Sequence, residues 1–112
     1  MATEKRGSDR VTFNSRVTLT PLEHPVPIKI LNISESGAGL HSPKPLAENQ
    51  NFTLTVELPG HHQNATLTLQ GKITHNTLAN NNYLVGFEFS NLTHNDLQAI
   101  QDFFNFHDRL FS

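Results

Sequence analysis

Two arginines four residues apart, Arg6 and Arg10, stand directly ahead of the first apolar segment in the opening stretch MATEKRGSDRVTF. A guanidinium is planar, permanently charged and able to donate two parallel hydrogen bonds, so a pair at this spacing could grip one ligand from two directions. A phosphate or the Hoogsteen edge of a guanine would satisfy each fork. The same stretch also fits a charged, solvated chain end. A second segment, Asn32-Ile33-Ser34-Glu35-Ser36-Gly37, leaves a predicted strand and turns. Asn32 and Ser34 can accept from nearby backbone N–H groups or donate outward, and Gly37 can take a positive φ that lets backbone approach a ligand closely. Taken alone, this segment is equally an ordinary Asx/Ser turn.

Other chemistry finds little support. The seven histidines, at 24, 41, 61, 62, 75, 94 and 107, fall mostly in predicted turns or at element edges, and no H-E-x-x-H or comparable spacing occurs, so no metal site is expected. His61 and His62, beside Pro59 and Gly60, fit a surface loop. There is no cysteine, which removes disulfides, thiolate metal sites and thiol nucleophiles. Gly37 and Gly39 are followed by Leu40 and His41, without the Lys-Ser/Thr pair of a phosphate-binding loop. No serine-nucleophile motif occurs, and the acidic residues, Asp102 and Asp108 among them, are scattered as on a solvated face. An enzyme is not expected.

The 112 residues carry a net charge of -2, which argues against a general nucleic-acid surface. The charge is unevenly spread. Residues 1 to 34 hold Lys5, Arg6, Arg10, Arg16 and Lys29 against Glu4, Asp9 and Glu23, a local +2, while the remainder carries -4. An anionic partner should prefer the N-terminal part. No apolar run approaches the roughly 20 residues that span a bilayer, and the charged first residues do not resemble a secretory leader. A cytoplasmic protein is expected, with the N-x-[ST] triplets at Asn32, Asn51, Asn64 and Asn91 as chance matches.

The elements that would position these residues follow from periodicity. Val11, Phe13, Val17 and Leu19 keep a two-residue phase across Asn14 and Ser15, predicting one bent strand or two short ones. After the turn PLEHP, Val26, Ile28 and Ile30 share a face, with Pro27 at an edge or at the strand start. A short strand around Leu40 ends at two prolines. NFTLTVEL alternates most clearly, with Phe52, Leu54, Val56 and Leu58 inward. Leu67, Leu69, Gly71 and Ile73 continue the pattern, Gly71 suggesting a bulge or sharp bend. The turn LANNN leads into Tyr83, Val85, Phe87 and Phe89. At residue 93 the period changes to helical. Thr93 and Asp96 have capping-box spacing, Leu97, Ile100, Phe104 and Phe111 fall near one stripe widened by Phe103, Phe106 and Leu110, and Arg109 suits the C-terminal dipole. Five to seven antiparallel strands and one helix predict a small all-β barrel. The aromatic surplus on the helix fits a plug for the barrel as well as a partner or homodimer interface.

R-x-x-x-R before the first strand, followed by [DN]-x-S-x-x-G at the end of the second, resembles the paired signature of the PilZ domain, a bacterial receptor module for cyclic di-GMP. Arg6 to Arg10 match the first motif and Asn32 to Gly37 the second. Ala38-Gly39-Leu40, Gly71-Lys72-Ile73 and Leu84-Val85-Gly86-Phe87-Glu88-Phe89 resemble the family's later segments, so the likeness runs over residues 5 to 108.

The resemblance implies a six-stranded antiparallel barrel with a helix over residues 93–108, forming one domain over 1–112. Residues 1–10 would be a flexible arm that closes over a ligand on the barrel exterior. It implies that Arg6 and Arg10 contact phosphates and guanine edges and stack on base faces, that Asn32 and Ser34 hydrogen-bond to the ligand, and that Gly37 keeps the surface clear. Lys5, Asp9, Arg16 and Gly39 are additional candidates. The function implied is a non-catalytic cyclic di-GMP receptor, without cofactor, nucleic-acid partner or membrane span. It would act through a downstream protein on motility, polysaccharide production, biofilm formation or virulence. The competing expectation is a ligand-independent PilZ-like adaptor of pilus or motility machinery, which would be expected to lack one of the two motifs.

Overall fold

Apolar alternation at every second residue buries one face of each strand, and closing the sheet on itself gives those faces a common interior. The computed structural model describes residues 11–60 and 63–111, with the backbone alone for 109–111. The proposed arm over 1–10, with Lys5, Arg6, Asp9 and Arg10, lies outside the described residues, as do His61, His62 and the side chains of Arg109, Leu110 and Phe111. Six strands run β1 (Val11–Thr20), β2 (Ile28–Ile33), β3 (Gly37–Ser42), β4 (Asn51–Leu58), β5 (Ala65–Ala79) and β6 (Asn82–Phe89), followed by α1 (His94–Phe111). They form a closed antiparallel barrel in the order β1-β2-β3-β6-β5-β4. Pro27 immediately precedes β2, where its missing N–H costs no ladder bond.

The interior is filled by the predicted inward positions: Val17 and Leu19 of β1, Ile28 and Ile30 of β2, Leu40 of β3, all four of β4, Leu67, Leu69 and Ile73 of β5, and Val85 and Phe87 of β6. The β5–β6 hairpin is longer than its apolar pattern suggests. β5 continues to Ala79, and a two-residue turn at Asn80 and Asn81, with φ of 52° and 67°, matches the twist of the flanking strands. One end of the barrel is closed by residues 46–49. Asn76 of β5 accepts from Leu46 N and donates to Leu46 O, both at 2.8 Å, which draws the buried Leu46 inward.

The helix closes the other end. Ile100 and Phe103 carry its burial, at 0% and 3% exposure, while Leu97, Phe104 and Phe106 are half-buried. The buried stripe is therefore centred on Ile100 and Phe103, because Phe103 meets Phe13 of β1 with ring centroids 4.9 Å apart. The capping box is formed: Asp96 N donates to Thr93 Oγ1 at 3.0 Å, and Thr93 N donates to Asp96 Oδ2 at 3.1 Å. Thr93→Ala should lower stability by about 1 kcal/mol, seen as a reduced urea midpoint with an unchanged slope.

Two glycine expectations need correction. Gly71 is in register, opposite Phe52 and Phe89, and the irregularity lies beyond it, between Ile73 and His75. A Cβ at residue 71 would run into the Glu88 carbonyl of β6 and lie 2.7 Å from Cε2 of Phe87, so the glycine makes room for both. Nor does Gly37 need a left-handed backbone, since no described glycine has positive φ. A Cβ there would run into the Phe87 carbonyl of the neighbouring strand.

Candidate functional site

The segment 32–37 links β2 to β3 as a tight, self-bonded turn. Ser34 is 1% exposed, and its Oγ accepts from Ser36 N and Gly37 N, both at 3.2 Å. Ser34 N donates to Gly37 O at 2.8 Å. The Ser34 hydroxyl therefore shapes the turn from within. Its neighbour Ser36 accepts from Phe89 N at 3.0 Å through its carbonyl, which fastens the turn to the end of β6. On the outside, Glu35 Oε2 accepts from Gln101 Nε2 at 2.8 Å, a direct link between the turn and α1.

Asn32 reaches the barrel exterior because β2 carries a bulge. The phase of Ile28 and Ile30 would point residue 32 inward, but the pairing shifts between Ile30 and Asn32, so Leu31 is the extra residue. Ile33 then becomes the inward residue at 0% exposure. Asn32 lies opposite Thr12 of β1 and Gly39 of β3, and its Oδ1 accepts from Gly39 N at 3.1 Å. A Cβ on Gly39 would sit 2.7 Å from Asn32 Nδ2 and 2.9 Å from Oδ1. The amide lies flat across the glycine and needs the bare backbone beneath it.

The row continues over two more strands. Gly39 pairs with Gly86 of β6, and Gly86 with His75 of β5. A second bulge, with Thr74 as the extra residue, sets His75 opposite Gly86 on the outer face. The result is a shallow depression of about 230 Å³ floored by Gly39 and Gly86 and bordered by Asn32, His75, Leu31 and Leu84. Beside it Arg16 of β1 faces Lys29 of β2, and Lys29 faces His41 of β3. Directly opposed like charges repel across a strand pair, and an anion lying over them would relieve that.

The sequence motifs identify Asn32 and Gly39, and the structure brings them together with Arg16 on one exterior face. Gly37, buried, packs against β6, and Ser34 stays inside the turn. Sequence reasoning passed over His75, Gly86 and Lys29. Lys29 needed only its outward phase between Ile28 and Ile30, but the glycine pairing is visible only in the register.

A family model described as the PilZ domain matches residues 4–106. The chain belongs to the PilZ family. In this PilZ domain the first family motif falls within the matched range and outside the described residues, and the second is the turn described above. A search of curated proteins finds no match. Among solved structures, the chain is similar to one titled "Structure of Bacillus subtilis Inhibitor of motility (MotI/DgrA)", with a TM-score of 0.77 at 16% identity. That match covers 92% of this chain and 51% of the other, so the PilZ domain here spans about half of that protein's length.

A larger groove of about 580 Å³ lies between α1 and the loop after β4, lined by Pro59, Gln63, Ala99, Asp102, Phe103 and Phe106 among others. Among the described residues that line it, the one charged side chain is an acid, Asp102, which does not suit an anionic ligand. The exterior row, beside Arg16 and Lys29 and carrying the second family motif, suits an anion better despite its smaller volume. Among the described residues, no helix is long and apolar enough to cross a membrane.

Proposed function

We propose that this PilZ domain is a non-catalytic receptor for cyclic di-GMP that acts in the cytoplasm by altering its contacts with a downstream protein of the motility machinery. The observation that carries this is the placement of the second motif. Asn32 is held flat over Gly39 in a shallow exterior depression, beside Arg16 and Lys29. A flat base can settle against that amide, and the two negative charges of the ligand find cations within the same strands. Ser34 serves by holding the turn that presents Asn32.

The first motif is next in sequence to β1: Arg10 is bonded to Val11, and Val11 pairs with Ile33 at the edge of the turn. The motility output is carried over from the neighbour, whose title calls it an inhibitor of motility. The link from Glu35 to Gln101 gives a physical route, since a ligand settling over the turn changes the surroundings of the carboxylate that holds α1.

Equilibrium binding of cyclic di-GMP at low and high ionic strength tests the electrostatic part. Arg16→Ala and Lys29→Ala should each weaken binding about two- to threefold at low salt, as expected of exposed charges. The differences should shrink as salt rises. Affinity unchanged in both variants at low salt would remove Arg16 and Lys29 from the site.

A further inference from the structure

We propose that His75 is a base-stacking residue of the ligand site, a role that rests on the cyclic di-GMP reading and adds a residue outside both family motifs. Its placement depends on the same construction that places Asn32. Bulges enter β2 at Leu31 and β5 at Thr74, one on each side of the paired strands β3 and β6. Such bulges re-aim side chains and occur beside functional sites. Here they turn Asn32 and His75 outward into one row, with Gly39 and Gly86 between them. Without the bulge in β5, the phase of Leu67, Leu69 and Ile73 would carry His75 toward the core.

The two ends of the row are built alike. A Cβ on Gly39 would collide with the Asn32 amide, and a Cβ on Gly86 would sit 2.7 Å from Nδ1 of His75 and collide with its Cε1. Each glycine thus accommodates a planar polar side chain leaning in from the adjacent strand, Asn32 from β2 and His75 from β5. The imidazole is fixed in this position by a 3.1 Å hydrogen bond between its Nδ1 and Thr74 Oγ1, so that Thr74, the bulged residue itself, orients the ring. His75 remains exposed, and Leu84 beside it is 42% exposed. An aromatic ring next to an uncovered leucine offers a planar base an apolar face to cover. Stacking of a base on an aromatic side chain needs only its π-face, whereas the Asn32 amide can read a base edge.

Titration with cyclic di-GMP of the native protein and of His75→Ala, His75→Phe and His75→Gln decides the matter, with urea midpoints confirming that each variant folds as the native chain does. His75→Ala should bind about five- to tenfold more weakly, the lower range for losing a base–aromatic contact. His75→Phe should restore most of the affinity, and His75→Gln should not. Native affinity in His75→Ala, with the native protein binding normally, overturns the role of His75 and leaves the receptor function intact. Restoration by glutamine in place of phenylalanine overturns stacking in favour of hydrogen bonding. Absence of binding by the native protein overturns both the receptor function and this role.

Discussion

Replacing either arginine of the first motif with alanine, Arg6→Ala or Arg10→Ala, should weaken cyclic di-GMP binding at least roughly tenfold, and the double variant should show no measurable binding. A charge-assisted hydrogen bond lost from a site typically costs about 1.5 to 3 kcal/mol, and 1.4 kcal/mol is a factor of ten in affinity. The geometry of the barrel supports a role this large. The row from Asn32 to His75 crosses four adjacent strands, which at about 4.8 Å per strand spacing spans roughly 14 Å. From Val11, which lies on β1 one strand spacing before Asn32, five residues of extended chain reach at most about 18 Å, so the segment that carries Arg6 and Arg10 is long enough to cover most of the strip. Conservative Arg→Lys replacements should not restore binding, because an ammonium lacks the planar fork that meets a phosphate or a guanine edge with two parallel bonds. Thermal or urea unfolding of these variants should be unchanged, which separates loss of contact from loss of fold.

The second large effect is a contrast between two glycines two residues apart. Gly37→Ala should destabilise the protein by about 1 to 3 kcal/mol, the usual cost of forcing extra atoms into a packed position. The new methyl would meet the carbonyl oxygen of Phe87, with the carbonyl carbon at 3.3 Å and Glu88 Cα at 3.4 Å. These are backbone atoms of the paired strand, so β3 and β6 must separate where the turn is fastened. Gly39→Ala meets only the tip of Asn32, a side chain able to rotate away, and the fold should be nearly unaffected. Its effect should appear in binding instead, because the displaced amide no longer lies across the strip. Denaturation midpoints and cyclic di-GMP affinities measured on the pair should therefore move in opposite columns: stability for Gly37→Ala, affinity for Gly39→Ala. Equal stability loss in both would contradict the assignment of Gly39 to the outer face.

Much of this architecture was legible in the residues. The alternation of Phe52, Leu54, Val56 and Leu58 predicts β4 with its inward face, and Thr93 with Asp96 predicts the helix start. Both depend on neighbours close in sequence. Ser34 was legible as a turn residue, and its hydroxyl is engaged locally by Ser36 N and Gly37 N. The task of Gly37 was not legible, because the space it leaves for the Phe87 carbonyl follows from the approach of β6, about fifty residues away along the chain. The bulges were the hardest to see. A period-two pattern does not say where one extra residue enters, and a slip of one residue exchanges inside for outside. A trace was present all the same. The phase of Leu67, Leu69 and Ile73 assigns the core to His75, and the phase of Ile28 and Ile30 assigns it to Asn32. A polar side chain falling in the inward phase where the apolar run ends marks the point at which the strand must slip, and these two slips flank the outer glycine row.

Calorimetric titration of the native protein with cyclic di-GMP, with cyclic di-AMP as the control, addresses the central claim most directly. An adenine presents a donor where guanine presents the O6 acceptor, so arginine forks distinguish the two. Saturable heat with cyclic di-GMP and at least roughly tenfold weaker binding of cyclic di-AMP is the predicted result. Absence of heat with cyclic di-GMP from correctly folded protein would contradict the receptor function and favour an adaptor that works without ligand.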